Sequence, residues 1–133
     1  MNRSELRKKI MTILYQIFLY ENSNIDYKVE DVIKESIDIE NEFVNTIVNG
    51  VLENQNDINK IANKHLKNWT IDRFVLTDRA ILSMGIYELV YTDTPEIVAI
   101  NEAVELANVY SDEKVKNMIN AVLDSIYHGE DNE

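Results

Sequence analysis

The sequence predicts an all-α protein of about seven helices in two packed layers. Only three glycines and one proline punctuate 133 residues, too few for the many turns of a β-protein. Apolar residues also recur at steps of three and four along most of the chain. No repeat of about twenty to fifty residues points to a solenoid.

Leu6, Ile10, Ile13, Leu14 and Ile17 predict a first helix from about Glu5 to Tyr20, with Ser4 placed to cap it. Met11, Phe18 and Leu19 lie beyond that stripe and leave open a homodimer or internal packing. A short helix follows Asp26, with Val29, Val32 and Ile33 on one side. The third, from about Glu40 to Asn54, turns Phe43, Val44, Ile47, Val48 and Val51 inward. Gly50 inside it weakens the helix by about 1 kcal/mol relative to Ala, which implies a neighbouring helix pressed close. The fourth begins near Asp57 and ends before Trp69.

Thr70 is placed to cap a short turn carrying Ile71, Phe74 and Val75, and Thr77 to cap the segment Asp78 to Tyr91. Ala80, Ile81, Leu82, Met84, Ile86, Leu89 and Val90 wrap much of that segment, as expected of a central helix. Pro95 breaks the chain and suits the start of Glu96 to Tyr110. The last helix begins at Ser111, carries Val115, Met118, Ile119, Val122, Leu123 and Ile126, and stops at Gly129, leaving a frayed tail at 130–133.

With no cysteine, thiolate chemistry, disulfides and Cys-based zinc sites are excluded, which fits the cytoplasm. The basic start has an interrupted apolar stretch and no small-residue cleavage site, so no signal peptide is read. No run of about eighteen apolar residues is present to span a membrane. The net charge of −11 hides an uneven distribution. Residues 1–20 carry four basic and one acidic side chain, residues 21–57 two and ten, residues 58–92 five and three, and residues 93–133 two and ten. The N-terminal segment is a cationic island.

Catalytic constellations are missing from the sequence. His65 and His128 lie in no metal-ligand spacing and read as rim residues near helix ends, so no metal is expected. Glu102 and Glu105 share a helix face without a nearby His or Cys, and read as a solvated or partner-facing acidic stripe. There is no Gly-rich phosphate loop, nucleophile elbow or dinucleotide fingerprint. No enzyme activity and no cofactor are expected. Lys8, Thr12 and Tyr15 fall on one side of the first helix, since seven residues complete nearly two turns. Cations beside a ring can hold unpaired bases above a phosphate track, although Tyr15 could equally roof the core with its hydroxyl in water.

The order of motifs is familiar. Arg3, Arg7, Lys8 and Leu14-Tyr15-Gln16 are followed by Phe43 with Val48-Asn49-Gly50-Val51. Trp69, Arg73, Asp78-Arg79-Ala80-Ile81-Leu82 and Tyr87-Glu88-Leu89 come next. Pro95, Val98-Ala99-Ile100-Asn101-Glu102-Ala103-Val104-Glu105-Leu106-Ala107 and Asn120-Ala121-Val122-Leu123-Asp124 close the series. Along nearly its whole length the chain resembles the NusB family of bacterial transcription antitermination factors. The resemblance implies one domain over 1–133, with helical subdomains at roughly 1–68 and 69–129. It also implies pairing with the ribosomal protein called NusE, binding of the boxA element of nascent ribosomal RNA leader transcripts, and action on RNA polymerase against termination. Carried onto this chain, it implies RNA contacts at Arg3, Arg7, Lys8, Tyr15, Lys114 and Asn120, and a NusE-facing surface at Asp72 and Asp78.

The chain departs from the family in places. Ser4 and Glu5 interrupt the arginine cluster, the family's Leu-Arg after Ala-Ile is Leu82-Ser83, and a family glycine is Ala121. Fewer phosphate contacts imply weaker binding alone and a shallower salt slope, with NusE supplying the missing charge. Two other readings are an acidic helical protein–protein adaptor without RNA binding, and the helical N-terminal domain of an RNA methyltransferase. The latter lacks a cofactor-binding domain here.

Overall fold

Asn2 opens the first helix. Its side chain accepts the Glu5 backbone N–H at 2.9 Å while its own N–H donates to the Glu5 carboxylate at 3.3 Å, a reciprocal capping box. The helix therefore starts before Ser4, and Ser4, expected as the cap, instead donates to Glu102 at 2.6 Å. The structure is a computed structural model that describes residues 1–129; the tail expected at 130–133 lies outside the described residues. Among the described residues are α1 (Arg3–Asn22), α2 (Val29–Ser36), α3 (Glu42–Glu53), α4 (Gln55–His65), α5 (Leu76–Tyr91), α6 (Glu96–Tyr110) and α7 (Glu113–Tyr127). A single 3₁₀ turn, Ile71–Arg73, separates α4 from α5.

Short polar residues also open α3 and α7, where Asn41 accepts from Val44 N–H at 3.1 Å and Asp112 from Val115 N–H at 2.8 Å. The two threonines expected as caps do not act so. Thr70 precedes the 3₁₀ turn without a side-chain bond, and the Ile71 N–H goes to Asn63 at 2.8 Å. Thr77 lies inside α5, which begins after Val75. Pro95 stands immediately before α6 as expected.

The predicted inner face of α1 is buried, and Met11 and Phe18 are buried with it. Those two side chains therefore pack internally and are not available to a second copy. α5 is central: it packs on α1, α3, α4, α6 and α7, and Ala80, Ile81, Leu82, Met84, Ile86 and Leu89 are all buried. Val90 leaves the core at the helix end, contrary to expectation. Burying one such Ile or Leu contributes about 1.5–3 kcal/mol. The buried apolar residues of all seven helices form one cluster.

At Gly50 the Tyr87 ring of α5 presses against α3. A Cβ built there would stand 2.1 Å from Cζ of Tyr87, so only glycine admits the ring. Four contacts fix the directions of α1, α5, α6 and α7. Arg7, early in α1, bonds Glu88, late in α5, while Arg79, early in α5, lies over Phe18, late in α1. Ser111, just past α6, donates to Asp78 in the first turn of α5. Lys116 of α7 reaches Asn108 of α6 at 3.4 Å. Neighbours in the series α1, α5, α6, α7 therefore run antiparallel. The start of α1 shares one end of the bundle with the end of α7, and the start of α7 lies at the other.

Candidate nucleic-acid interface

On α1, Lys8, Thr12 and Tyr15 are all exposed, and the Thr12 hydroxyl donates back to the Lys8 carbonyl at 3.1 Å. Tyr15 is 36% exposed, so part of its side chain is open to solvent. Arg3 is exposed at the start of the helix, with its guanidinium 4.4 Å from the Phe43 ring centroid. That stacking pre-orients a cation at modest entropic cost.

Arg7 is not part of this surface. Only 4% exposed, it donates from Nε to Glu88 at 2.9 Å, from a terminal nitrogen to the other Glu88 oxygen, and to Glu102 at 3.1 Å. The hydrogen bond to Glu88 raises its pKa, with burial acting in the opposite direction. The sequence reading placed Arg7 on phosphate, but its position on α1 points it into the α5 and α6 interface, where two carboxylates use its donors. Glu102 is corrected likewise: half-buried and bonded to Ser4 and Arg7, it ties helices together and is not a solvated stripe. Glu105 remains exposed.

The other predicted residues lie on different elements. Lys114 and Asn120 are exposed on α7, Lys114 in its first turn and therefore at the opposite end of the bundle from Arg3. Lys114 Nζ lies 5.6 Å from the Trp69 ring centroid, and the guanidinium of Arg73 lies over the same ring at 4.0 Å. A groove of about 590 Å³ adjoins this cluster, lined by Lys67, Lys114, Asn117 and Met118 among others. Sequence reasoning did not assign Trp69 and Arg73 a site, because the turn that stacks them follows no helical period.

Asp72 is exposed beside Arg73. Asp78, its proposed companion, is only 6% exposed and accepts from the Ser111 hydroxyl. Burial raises its pKa, the Ser111 hydrogen bond lowers it and the nearby Asp112 raises it. A side chain so enclosed cannot offer its charge to a partner surface.

His65 Nδ1 lies 2.8 Å from the Ser125 hydroxyl and is half-buried, while His128 pairs with Asp124 at 3.3 Å at the end of α7. Among the described residues no group of three or more His, Cys, Asp or Glu is placed to hold a metal ion. No helix there is long and apolar enough to cross a membrane.

These features define an all-helical protein that presents exposed cations beside aromatic rings, on α1 and where the start of α7 meets Trp69. The chain belongs to the NusB family, which matches residues 4–128. It is 39% identical over 128 residues to the transcription antitermination protein NusB of Macrococcus caseolyticus, covering 95% of this chain and 96% of that one. A solved structure of T. maritima NusB superposes with a TM-score of 0.82 at 27% identity, over 96% of this chain and 92% of the other. A structure of the antitermination factors NusB and NusE in complex with dsRNA gives 0.80 at 26% identity, over 96% of each chain.

Proposed function

We propose that this chain is an RNA-binding transcription antitermination factor. Together with ribosomal protein NusE it holds boxA of nascent ribosomal RNA leader transcripts and helps RNA polymerase resist termination. It acts as one domain, in the cytoplasm, by binding and not by catalysis. The exposed row Lys8, Thr12 and Tyr15 carries the reading: a cation and a partly exposed ring on one helix face suit an unpaired base stacked beside its phosphate. Family membership and the NusB–NusE complex with RNA support the partners.

Arg3 and Lys8 take phosphates, Tyr15 stacks a base, and Lys114 with Asn120 extend contact to the far end. Asp72 is the remaining acidic candidate for NusE. With Arg7 committed internally, few cations are left for phosphate, so binding by the chain alone is weak and steepens when NusE adds its own charge. Titrating labelled boxA-like RNA into the chain, with and without NusE and over a salt series, tests this. Tighter and more salt-dependent binding by the pair is the expected result. Equal affinity for the lone chain and the pair at physiological salt overturns the division of charge, and absence of RNA binding in both favours the adaptor reading.

A further inference from the structure

Five apolar side chains reach solvent at one end of the bundle. A Cβ built on Gly85 would stand 3.1 Å from Ala103 Cβ, which sets the register of α5 against α6. Counting outward along this antiparallel pair brings Val90 level with Val98 and Tyr91 level with Ile97. The Lys116–Asn108 bond sets the register of α7 and brings Tyr127 level with Ile97. Val90 is 44% exposed, Tyr91 38%, Ile97 57%, Val98 41% and Tyr127 40%. Scattered apolar residues on a surface need no explanation, whereas five gathered at one end of a bundle favour a contact there.

Away from Arg3, which lines a groove with Asp93 on the α1 side, the rim of this end is acidic. Asp93 and Glu96 are exposed between and beside the apolar residues. Between Asp93 and the end of α6 the chain carries neither lysine nor arginine. Beyond Arg3 these carboxylates offer RNA no phosphate partner, and a second copy would bring the same carboxylates together. A partner rich in lysine or arginine meets both features at once.

We propose that this end docks a basic segment of a partner protein, whose apolar side chains cover Tyr91, Ile97 and Val98 and whose cations meet Asp93 and Glu96. The surface lies at the opposite end of the bundle from Asp72, so it is a second protein-binding face, independent of the one proposed for NusE.

A synthetic peptide of alternating leucine and lysine, titrated into the full-length chain and followed by amide NMR shifts, tests the proposal, with a leucine–glutamate peptide as control. Shifts confined to residues 90–98 and 127 are expected from the lysine peptide alone. Replacing Ile97→Asn with Val98→Thr should weaken binding about tenfold, the scale of losing a central anchor. Replacing Asp93→Asn with Glu96→Gln should weaken it severalfold and flatten its salt dependence. All four positions are exposed, so the folded spectrum should persist. Shifts centred on the acidic stretch 21–57, equal binding of the glutamate peptide, or no binding each overturn the proposal. So does sedimentation showing self-association of the wild type that the Ile97→Asn, Val98→Thr variant abolishes, since the occupant would then be a second copy.

Discussion

Arg7 and Glu88 meet through two hydrogen bonds, 2.9 Å at Nε, inside the α1–α5 interface, where their side chains are 5% and 3% exposed. A buried pair of this kind adds little over well-packed apolar residues, but leaving one partner alone costs about 3–5 kcal/mol. Glu88→Ala should therefore lower stability by about 3 kcal/mol in urea unfolding, even though Glu102 still reaches Arg7. Arg7→Met combined with Glu88→Leu should lose far less than the two single changes summed. Additive losses in that double-mutant cycle would show that the pair is not the unit of stability.

RNA binding should distinguish the cations of α1 by their salt dependence. Lys8 is exposed and Arg7 is enclosed. If Lys8 neutralises one phosphate, Lys8→Gln should reduce the slope of log K against log salt by about one. Arg7→Lys should leave that slope unchanged, because the charge at residue 7 serves Glu88 and Glu102. A slope reduced equally by Arg7→Lys would return Arg7 to the phosphate track.

The helices were legible because their apolar spacing is a local property: α5 reads as central from its own residues, and Gly50 announces a close neighbour without naming Tyr87. The site was legible only in part. Lys8 and Tyr15 face solvent because they lie opposite the apolar stripe of α1, which periodicity can show. The burial of Arg7 depends on carboxylates 81 and 95 residues away, and that of Asp78 on Ser111, 33 residues away. No local pattern reports such pairings. The separation of Lys114 from Arg3 is likewise a matter of helix direction, set by tertiary contacts. Ser4 was misread as a cap because Asn2 was a better one, forming the box with Glu5.

Gly50→Ala should destabilise the protein by about 1–3 kcal/mol, the range for overpacking, because the new methyl group meets the Tyr87 ring. Tyr87 also stacks on Tyr91 at 5.1 Å, which restricts its retreat. In a Tyr87→Ala background the ring is gone, and the same change should gain up to about 1 kcal/mol from helix propensity. Thermal or urea unfolding of the four proteins checks the reversal of sign. A loss of the same size in both backgrounds would place the constraint on backbone conformation and not on the ring.

Asp78 makes the clearest pH prediction. Its carboxyl is enclosed, and burial, opposed by the Ser111 hydrogen bond and assisted by Asp112, raises its pKa above the ordinary value. A group that binds its proton more tightly folded than unfolded favours the native state at low pH. Its contribution falls as pH rises from the unfolded value of about 3.9 through the raised folded value, and is constant above it. Asp78→Asn keeps an acceptor for the Ser111 hydroxyl and removes the ionisation. The stability of the variant relative to wild type should therefore increase across that window and level off by neutral pH. Urea midpoints taken in parallel from about pH 3 to pH 7 cancel the shared titration of the other carboxylates. A difference that stays flat, or that shrinks as pH rises, would mean that Asp78 ionises at no cost in the fold and that its pairing with Ser111 outweighs its burial.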